Sequence, residues 1–336
     1  GLVLACAPNL GLTIDKTYAQ TLECLECGTG KSKRRPHKYR PSRRRTRPCD
    51  LIHVDNTGPF KIRSIGGAKY STFFTDDKST LRYHVPRKHL DGDSMVDALK
   101  EYESTVVRGT RFKSMVLKML ALRGDRGSDI KSDAVKRYCD QHGIHQQYSA
   151  AYTKEQSGSA ESTNDAIERP ANALVQGAYT YGKCSSTFGP APFWAHASDT
   201  VCYTRGRAPL IRDLNGKTPW EKFYGECPDN QHLRAWGCVA LPHLPPHKQH
   251  KWQPKPGVGM FVGYEWRSGN YLVWMPHDLY RADNRKGSVG TYSDVTFLEH
   301  TNFWDLAYRG WKSTDVPQLH VSSLDVTLLE EYMGHC

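Results

Sequence analysis

Hydrophobic and polar positions change period several times along this chain. Residues 49–88 hold three short runs of β-forming residues separated by turn signals. CDLIHVDNTGPF is apolar up to Val54, reaches Asp55 and then meets the turn sequence Asn-Thr-Gly-Pro. GGAKYSTFFTDD follows a Gly-Gly turn and ends in a double Asp. TLRYHVPRK alternates and carries Pro86, which a strand tolerates at a sheet edge. Connections of hairpin length predict an antiparallel meander.

The period then lengthens. With Ser94 as N-cap, Met95, Ala98, Leu99 and Tyr102 recur at helical spacing. FKSMVLKMLAL (112–122) predicts a strand running into Arg123-Gly-Asp125-Arg-Gly127. SDAVKRYCDQH (132–142) predicts a helix closed by Gly143, and IHQQYSAAY a fifth strand. Ala160, Ile167, Ala171, Leu174 and Val175 predict a helix over 159–178. Pro170 falls inside it, where a missing N–H costs about 3 kcal/mol or kinks the helix. The order βββ-α-β-α-β-α is that of an α/β, ribonuclease-H-like fold, a five-stranded mixed sheet flanked by helices.

Residues 179–240 are polar with aromatic anchors at Phe193, Trp194, Trp220, Phe223, Tyr224 and Trp236. Phe193, Trp194, Ala195, Ala197 and Val201 predict an amphipathic helix whose aromatic face packs a core. LPHLPPHKQHKWQPKP (241–256) reads as a linker. The spacing of His232, His243, His247 and His250 is too irregular to predict a metal site. GMFVGYEW, NYLVWMP and SDVTFLE predict short strands, and a small SH3-like β-barrel fits their length. Arg267, Arg281, Arg285 and Lys286 there are either DNA contacts or a solvated face.

Composition narrows the function classes. No window approaches the ~20 apolar residues of a membrane span, so no membrane partner is expected. Aromatic content of 11%, with eight Trp, argues for packed cores despite a mean hydropathy of −0.64. No basic segment precedes the apolar start Leu2–Ala7, so no signal peptide is expected. Ten scattered Cys predict a reducing compartment rather than a disulfide scaffold.

The 336 residues include 46 Lys+Arg against 35 Asp+Glu, a net charge of +11. Ten of these cations lie in residues 31–47: Lys31, Lys33, Arg34, Arg35, Lys38, Arg40, Arg43, Arg44, Arg45 and Arg47. That run carries no acid and is broken by Pro, so it reads as a basic linker suited to backbone phosphates. Upstream, Cys24 and Cys27 form a CxxC pair, half of a tetrahedral Zn²⁺ site. The other ligand types nearby are Cys6, His37 and Cys49.

Three acids complete the picture. In the predicted topology Asp55 and Asp125 end strands one and four, and Glu161 sits on the last helix, with 35 residues between it and Asp125. Such carboxylates converge at one sheet edge. There they suit two divalent ions about 3.5–4 Å apart, which drive in-line phosphoryl displacement. Singly, each Asp is more ordinarily a turn or capping residue.

The strings around these acids resemble the integrase region of copia-type LTR-retrotransposon Gag-Pol polyproteins. The motifs are CLECGTGK, DLIHVDNTGPF, GGAKYSTFFTDDKS, LRGDRG and YTKEQSGSAEST. FWAHASDTVCYTRGRAP, TPWEKFYGECPDNQHLRAWGCVA and PGVGMFVGYEWRSGNYLVWMP resemble the region that follows. The resemblance covers roughly residues 15–300. It implies a polynucleotidyl transferase that processes 3′ ends and inserts element cDNA into target DNA. It implies Asp55, Asp125 and Glu161 as ligands of Mg²⁺ or Mn²⁺, and a zinc module of which only the Cys24–Cys27 half is present. DNA is the implied partner, touched also by Lys154 and Gln156, with RNA a second candidate; a homo-oligomer and nuclear action are implied too.

The implied divisions are a zinc-module remnant (1–30), basic linker (31–48), catalytic core (49–178), helical region (179–240), SH3-like domain (241–300) and tail (301–336). Departures leave two alternatives open, a catalytically decayed nucleic-acid-binding remnant and a metal-dependent nuclease of the same fold. The resembled family has Asn at 126 and 157, Arg at 162, and commonly Pro at 151 and 154. This chain has Arg126, Ser157, Ser162, Ala151 and Lys154. Residues 113–121 read as longer than the family's fourth strand.

Overall fold

The computed structural model describes residues 45–108, 117–125, 127–148, 164–182, 189–209, 216–243, 257–276 and 287–304. Three antiparallel strands come first: β1 (Ile52–Thr57), β2 (Tyr70–Asp76) and β3 (Arg82–Arg87). Helix α1 (Gly92–Tyr102) runs into a π-turn (Glu103–Val107). Then follow β4 (Ala121–Gly124), α2 (Asp133–His142) and β5 (His145–Tyr148). The sheet order is β3-β2-β1-β4-β5, with β1, β4 and β5 parallel. This mixed five-stranded sheet is the ribonuclease-H-like topology. β3 lies at its edge, which is why Pro86 is tolerated there.

Local signals account for most boundaries, with one correction. The N-cap of α1 is Asp91, whose carboxylate accepts from the Ser94 N–H. Ser94 is instead inside the helix, and its hydroxyl accepts from Arg87. Met95, Ala98, Leu99 and Tyr102 are buried as the spacing predicts. Ser132 caps α2, and Gly143 ends it in the left-handed region at φ 65°. The fourth strand begins only at Ala121 and is short.

A second π-turn (Asn164–Glu168) leads into α3 (Arg169–Gly182). Pro170 is therefore the second residue of α3, directly after a change of hydrogen-bond register. Pro170 has no N–H to donate, and it falls where the register changes from π to α, so the helix continues through it.

Helix α4 (Trp194–Arg207) packs on both β3 and a second sheet. Ala195, Ala197, Thr200, Val201, Cys202 and Tyr203 are all buried, as expected of a helix covered on several sides. It is tied to the first sheet through a buried histidine. His84 Nδ1 lies 2.6 Å from Asp199 Oδ1, and Nε2 lies 2.8 Å from Ser71 Oγ. Ser71 is 1% exposed, so this Ser-His-Asp row fastens strands to helix rather than presenting a nucleophile.

After α5 (Pro219–Tyr224) the second sheet comprises β6 (Cys238–Pro242), β7 (Gly259–Tyr264), β8 (Tyr271–Pro276), β9 (Gly287–Tyr292) and β10 (Val295–Asn302). It is antiparallel, in the order β10-β6-β7-β8-β9. Met260, Val262, Trp274 and Val239 fill its core with Phe193. Gly263 sits in a β7 irregularity at φ 152°, where a Cβ would lie 2.8 Å from Thr200 Oγ1. Gly263→Ala is expected to push α4 off this sheet. The cost should be about 1–3 kcal/mol, read as a lowered Tm.

Candidate active site

Asp55 stands on β1 and Asp125 directly follows β4. These strands are parallel neighbours, with Ile52 opposite Leu122 and His53 opposite Arg123. The same register continued by two residues sets Asp55 against Asp125. Alternation then puts both side chains on one face. Asp125 is exposed, and its Oδ1 accepts from the Gly127 N–H at 2.9 Å, which shapes the turn leaving β4.

Asp55 is perturbed. Burial is the main cause, followed by the negative charges of Asp125 and Glu168, and its carboxyl is pushed up to about 6. Glu168 is a neighbour that the motif pattern does not include. It belongs to the π-turn before α3, and its own carboxyl is raised by burial, with Thr57 opposing through a hydrogen bond. Its Oε1 is buried without a hydrogen-bond partner among the described residues. One signal is present in the sequence: Glu168 is seven residues beyond Glu161, a spacing close to two turns of a regular α-helix.

A second layer supports these acids. Asn56 follows Asp55, and Asp129 closes the turn after Asp125. Asn56 Nδ2 donates to Asp129 Oδ2 at 3.1 Å, and Arg87 Nη1 donates to the same oxygen at 2.9 Å. Both members of the Arg87–Asp129 pair have side chains only 2% exposed. Thr72 donates to Asn56 Oδ1 at 2.6 Å, and Arg87 Nη2 reaches Ser94 and the Asp91 carbonyl. This network ties β1, β2, β3, α1 and the turn carrying Asp125 into one unit. Nothing in the local sequence patterns points to it.

Glu161 lies outside the described residues, as do Arg126, Ala151, Lys154, Gln156, Ser157 and Ser162. So do Cys24 and Cys27 and, from the basic run, Lys31, Lys33, Arg34, Arg35, Lys38, Arg40, Arg43 and Arg44. Arg45 and Arg47 are described and exposed, and the Arg45 N–H donates to Asp77 Oδ2. Among the described residues, no three His, Cys, Asp or Glu side chains are grouped closely enough to hold a metal ion. The Asp55–Asp125 pair nevertheless fits a divalent cation: the acids are neighbours, and Asp55 is destabilised in its charged form. A cation held by the pair would offset both the burial of Asp55 and its repulsion from Asp125.

The electrostatics set a pH dependence. A carboxyl whose folded pKa is raised favours folding fully below its unfolded pKa near 3.8, and that contribution is lost as pH rises through about 6. The metal-free chain should therefore lose stability between pH 4 and 7 through this group. Tm measured across that window should fall less for Asp55→Asn than for the parent; parallel curves would contradict the assignment.

A sequence family described as "Retroviral polymerase SH3-like domain" matches residues 238–307, the second sheet. Among curated relatives, the retrovirus-related Pol polyprotein from transposon TNT 1-94 of Nicotiana tabacum is 28% identical over 70% of this chain. Those from transposons RE2 and RE1 of Arabidopsis thaliana are each 25% identical over 79% of it. The chain spans only 16–17% of the length of these relatives. Among solved structures, a simian T-cell lymphotropic virus intasome in complex with a PP2A regulatory subunit is 13% identical. It covers 76% of this chain and 80% of that one, with a TM-score of 0.41. The HTLV-2 integrase catalytic core in complex with magnesium is 16% identical, over 53% and 99%, with a TM-score of 0.38. The homologues of this chain are thus copia-type retrotransposon Pol polyproteins. The fold assignment itself stands on the strand order and the SH3-like match.

Proposed function

We propose that this chain, a relative of copia-type retrotransposon Pol polyproteins, is an integrase region that joins DNA ends to target DNA by metal-dependent phosphoryl transfer. The observation that carries the reading is the Asp55–Asp125 pair on adjacent parallel strands, Asp55 within β1 and Asp125 directly after β4, with Asp55 pushed up to about 6. Asp55 and Asp125, with Glu161, would hold divalent cations. Bound there, these ions would supply charge stabilisation to the attacking and leaving oxygens of an in-line displacement.

The chain's own residues do the rest. Arg87 and Asp129 fix the depth of the Asp125 turn against β1, so the two carboxylates stay in register. The basic run holds the phosphate backbone, and its exposed members Arg45 and Arg47 sit just before β1. Acting in the nucleus and assembling as a homo-oligomer belong to the same proposal.

The test is strand transfer by the purified chain with Mn²⁺ and a duplex ending in the element's terminal sequence. Joined product that disappears in Glu161→Gln supports the reading. Salt-sensitive DNA binding without any joining would favour the remnant reading, and cleavage without joining a nuclease. Replacing Arg43, Arg44, Arg45 and Arg47 by Gln should weaken binding evenly across sequences. It should also flatten the slope of log K against log salt by roughly 0.9 for each phosphate no longer neutralised. An unchanged slope would mean the run does not touch DNA.

A further inference from the structure

Away from the acids, α4 ends at a cleft of about 520 Å³. Its wall is aromatic, with Tyr203, Trp220, Tyr224 and Trp266 among the lining residues. On it lies Arg207, the last residue of α4 and only 5% exposed. Its guanidinium carbon is 3.4 Å from the ring centroid of Tyr203 and 3.8 Å from that of Trp220. Tyr203 itself stacks on Tyr264 at 4.4 Å, which extends the pile of flat groups.

What Arg207 lacks, among the described residues, is an anion. Nη1 donates to the Tyr203 carbonyl at 3.1 Å, while Nε is buried with no hydrogen-bond partner there. Buried cations in proteins are ordinarily matched by a carboxylate, because ring faces return only part of the hydration given up. Here the groups around it are Tyr203, Tyr224, Tyr264 and His232, none of them an acid. The acids of the cleft, Glu226 and Asp229, are exposed residues, and neither pairs with Arg207. Burial pulls the Arg207 guanidinium down to about 10, consistent with a charge that has given up water and gained no counter-ion.

We propose that this aromatic cleft is a binding site for a peptide segment that presents a carboxylate beside an aromatic side chain, with Arg207 supplying the countercharge. The volume is that of a small-ligand pocket. A carboxylate that reaches the Arg207 guanidinium would form a strong charge-assisted contact. Trp220 and Trp266 line the cleft and give an aromatic ring apolar surface to pack on. The remaining charges decide between anions. The exposed Glu226 and Asp229 repel a phosphate dianion or a nucleic-acid backbone more strongly than a single carboxylate that reaches the buried Arg207. One carboxylate on an apolar body suits it. The site lies outside the Asp55–Asp125 pair and does not depend on the proposed transfer reaction.

Titration calorimetry of the 336-residue chain at pH 7 with N-acetylphenylalanine, N-acetylphenylalaninamide and thymidine 5′-monophosphate tests this. The acid should bind at least about tenfold more tightly than the amide, the signature of one charge-assisted contact. Arg207→Lys should abolish that preference, because a compact ammonium cannot fill the ring sandwich. Trp220→Leu, which leaves the cation in place, should weaken the acid severalfold while keeping the preference. Since the acid-amide comparison uses the unaltered chain, it stands even if Arg207→Lys unfolds. Equal binding of acid and amide, no heat from either, or tighter binding of the nucleotide would each overturn the proposal.

Discussion

Asp55→Asn is expected to reduce strand transfer by about 10³-fold or more and to raise, not lower, the Tm of the metal-free chain at pH 7.5. Metal-ion stabilisation of a phosphoryl transition state is worth several kcal/mol, and each 1.36 kcal/mol is a factor of ten in rate. Asn keeps the shape of Asp55 but not the charge needed to hold a cation. The same missing charge removes the repulsion from Asp125 and Glu168 and the burial penalty that together push Asp55 up to about 6. A change that abolishes activity while stabilising the fold separates a chemical role from a structural one. Transfer rates and melting curves of the parent, Asp55→Asn and Asp125→Asn decide it. Unchanged transfer in Asp55→Asn would remove this acid from the mechanism.

Asp129→Ala is expected to destabilise the fold by about 3–5 kcal/mol, because it leaves the buried Arg87 guanidinium without its counter-ion. At roughly 2–4 °C per kcal/mol for a chain of this class, Tm should fall by about 10 °C. The effect is larger than deleting an exposed ion pair such as Lys217–Glu221, worth well under 1 kcal/mol. Activity should fall further than stability alone explains. Asp129 also holds Asn56, the neighbour of Asp55, and closes the turn that carries Asp125. Denaturant unfolding of Asp129→Ala and of Asp129→Asn measures the two parts. Asn keeps the hydrogen bonds without the charge and should lie between. A decrease below about 1 kcal/mol for Asp129→Ala, the range of an exposed pair, would show that this ion pair is not what fixes the corner.

Much of the first sheet is legible because its signals are local. Asp55 can be placed on the first strand because an apolar run leads to it, although Asn56 and Thr57, which read as turn residues, still pair within β1. Pro86 marks the edge strand, and Gly143 the helix end. Ser94 reads as a cap although it is not one, because Asp91, three residues earlier, is an equally good acceptor. Only the backbone path shows which side chain faces the free N–H groups. Pro170 reads as a break because the helical period gives no sign of the π-turn that precedes it.

The sequence by itself determined the element order of the first sheet, the placing of Asp55 on its first strand and Asp125 after its fourth, and the concentration of positive charge in residues 31–47. These depend on period, turn chemistry and composition, which are properties of neighbouring residues. Tertiary structure alone decided that Arg87 meets Asp129 across 42 positions, that Glu168 approaches Asp55, and that Arg207 is buried between two rings without an acid. The cost of a charge depends on the water it has given up and the partners it has gained. Both are set by segments far apart in the chain, so no local pattern encodes them.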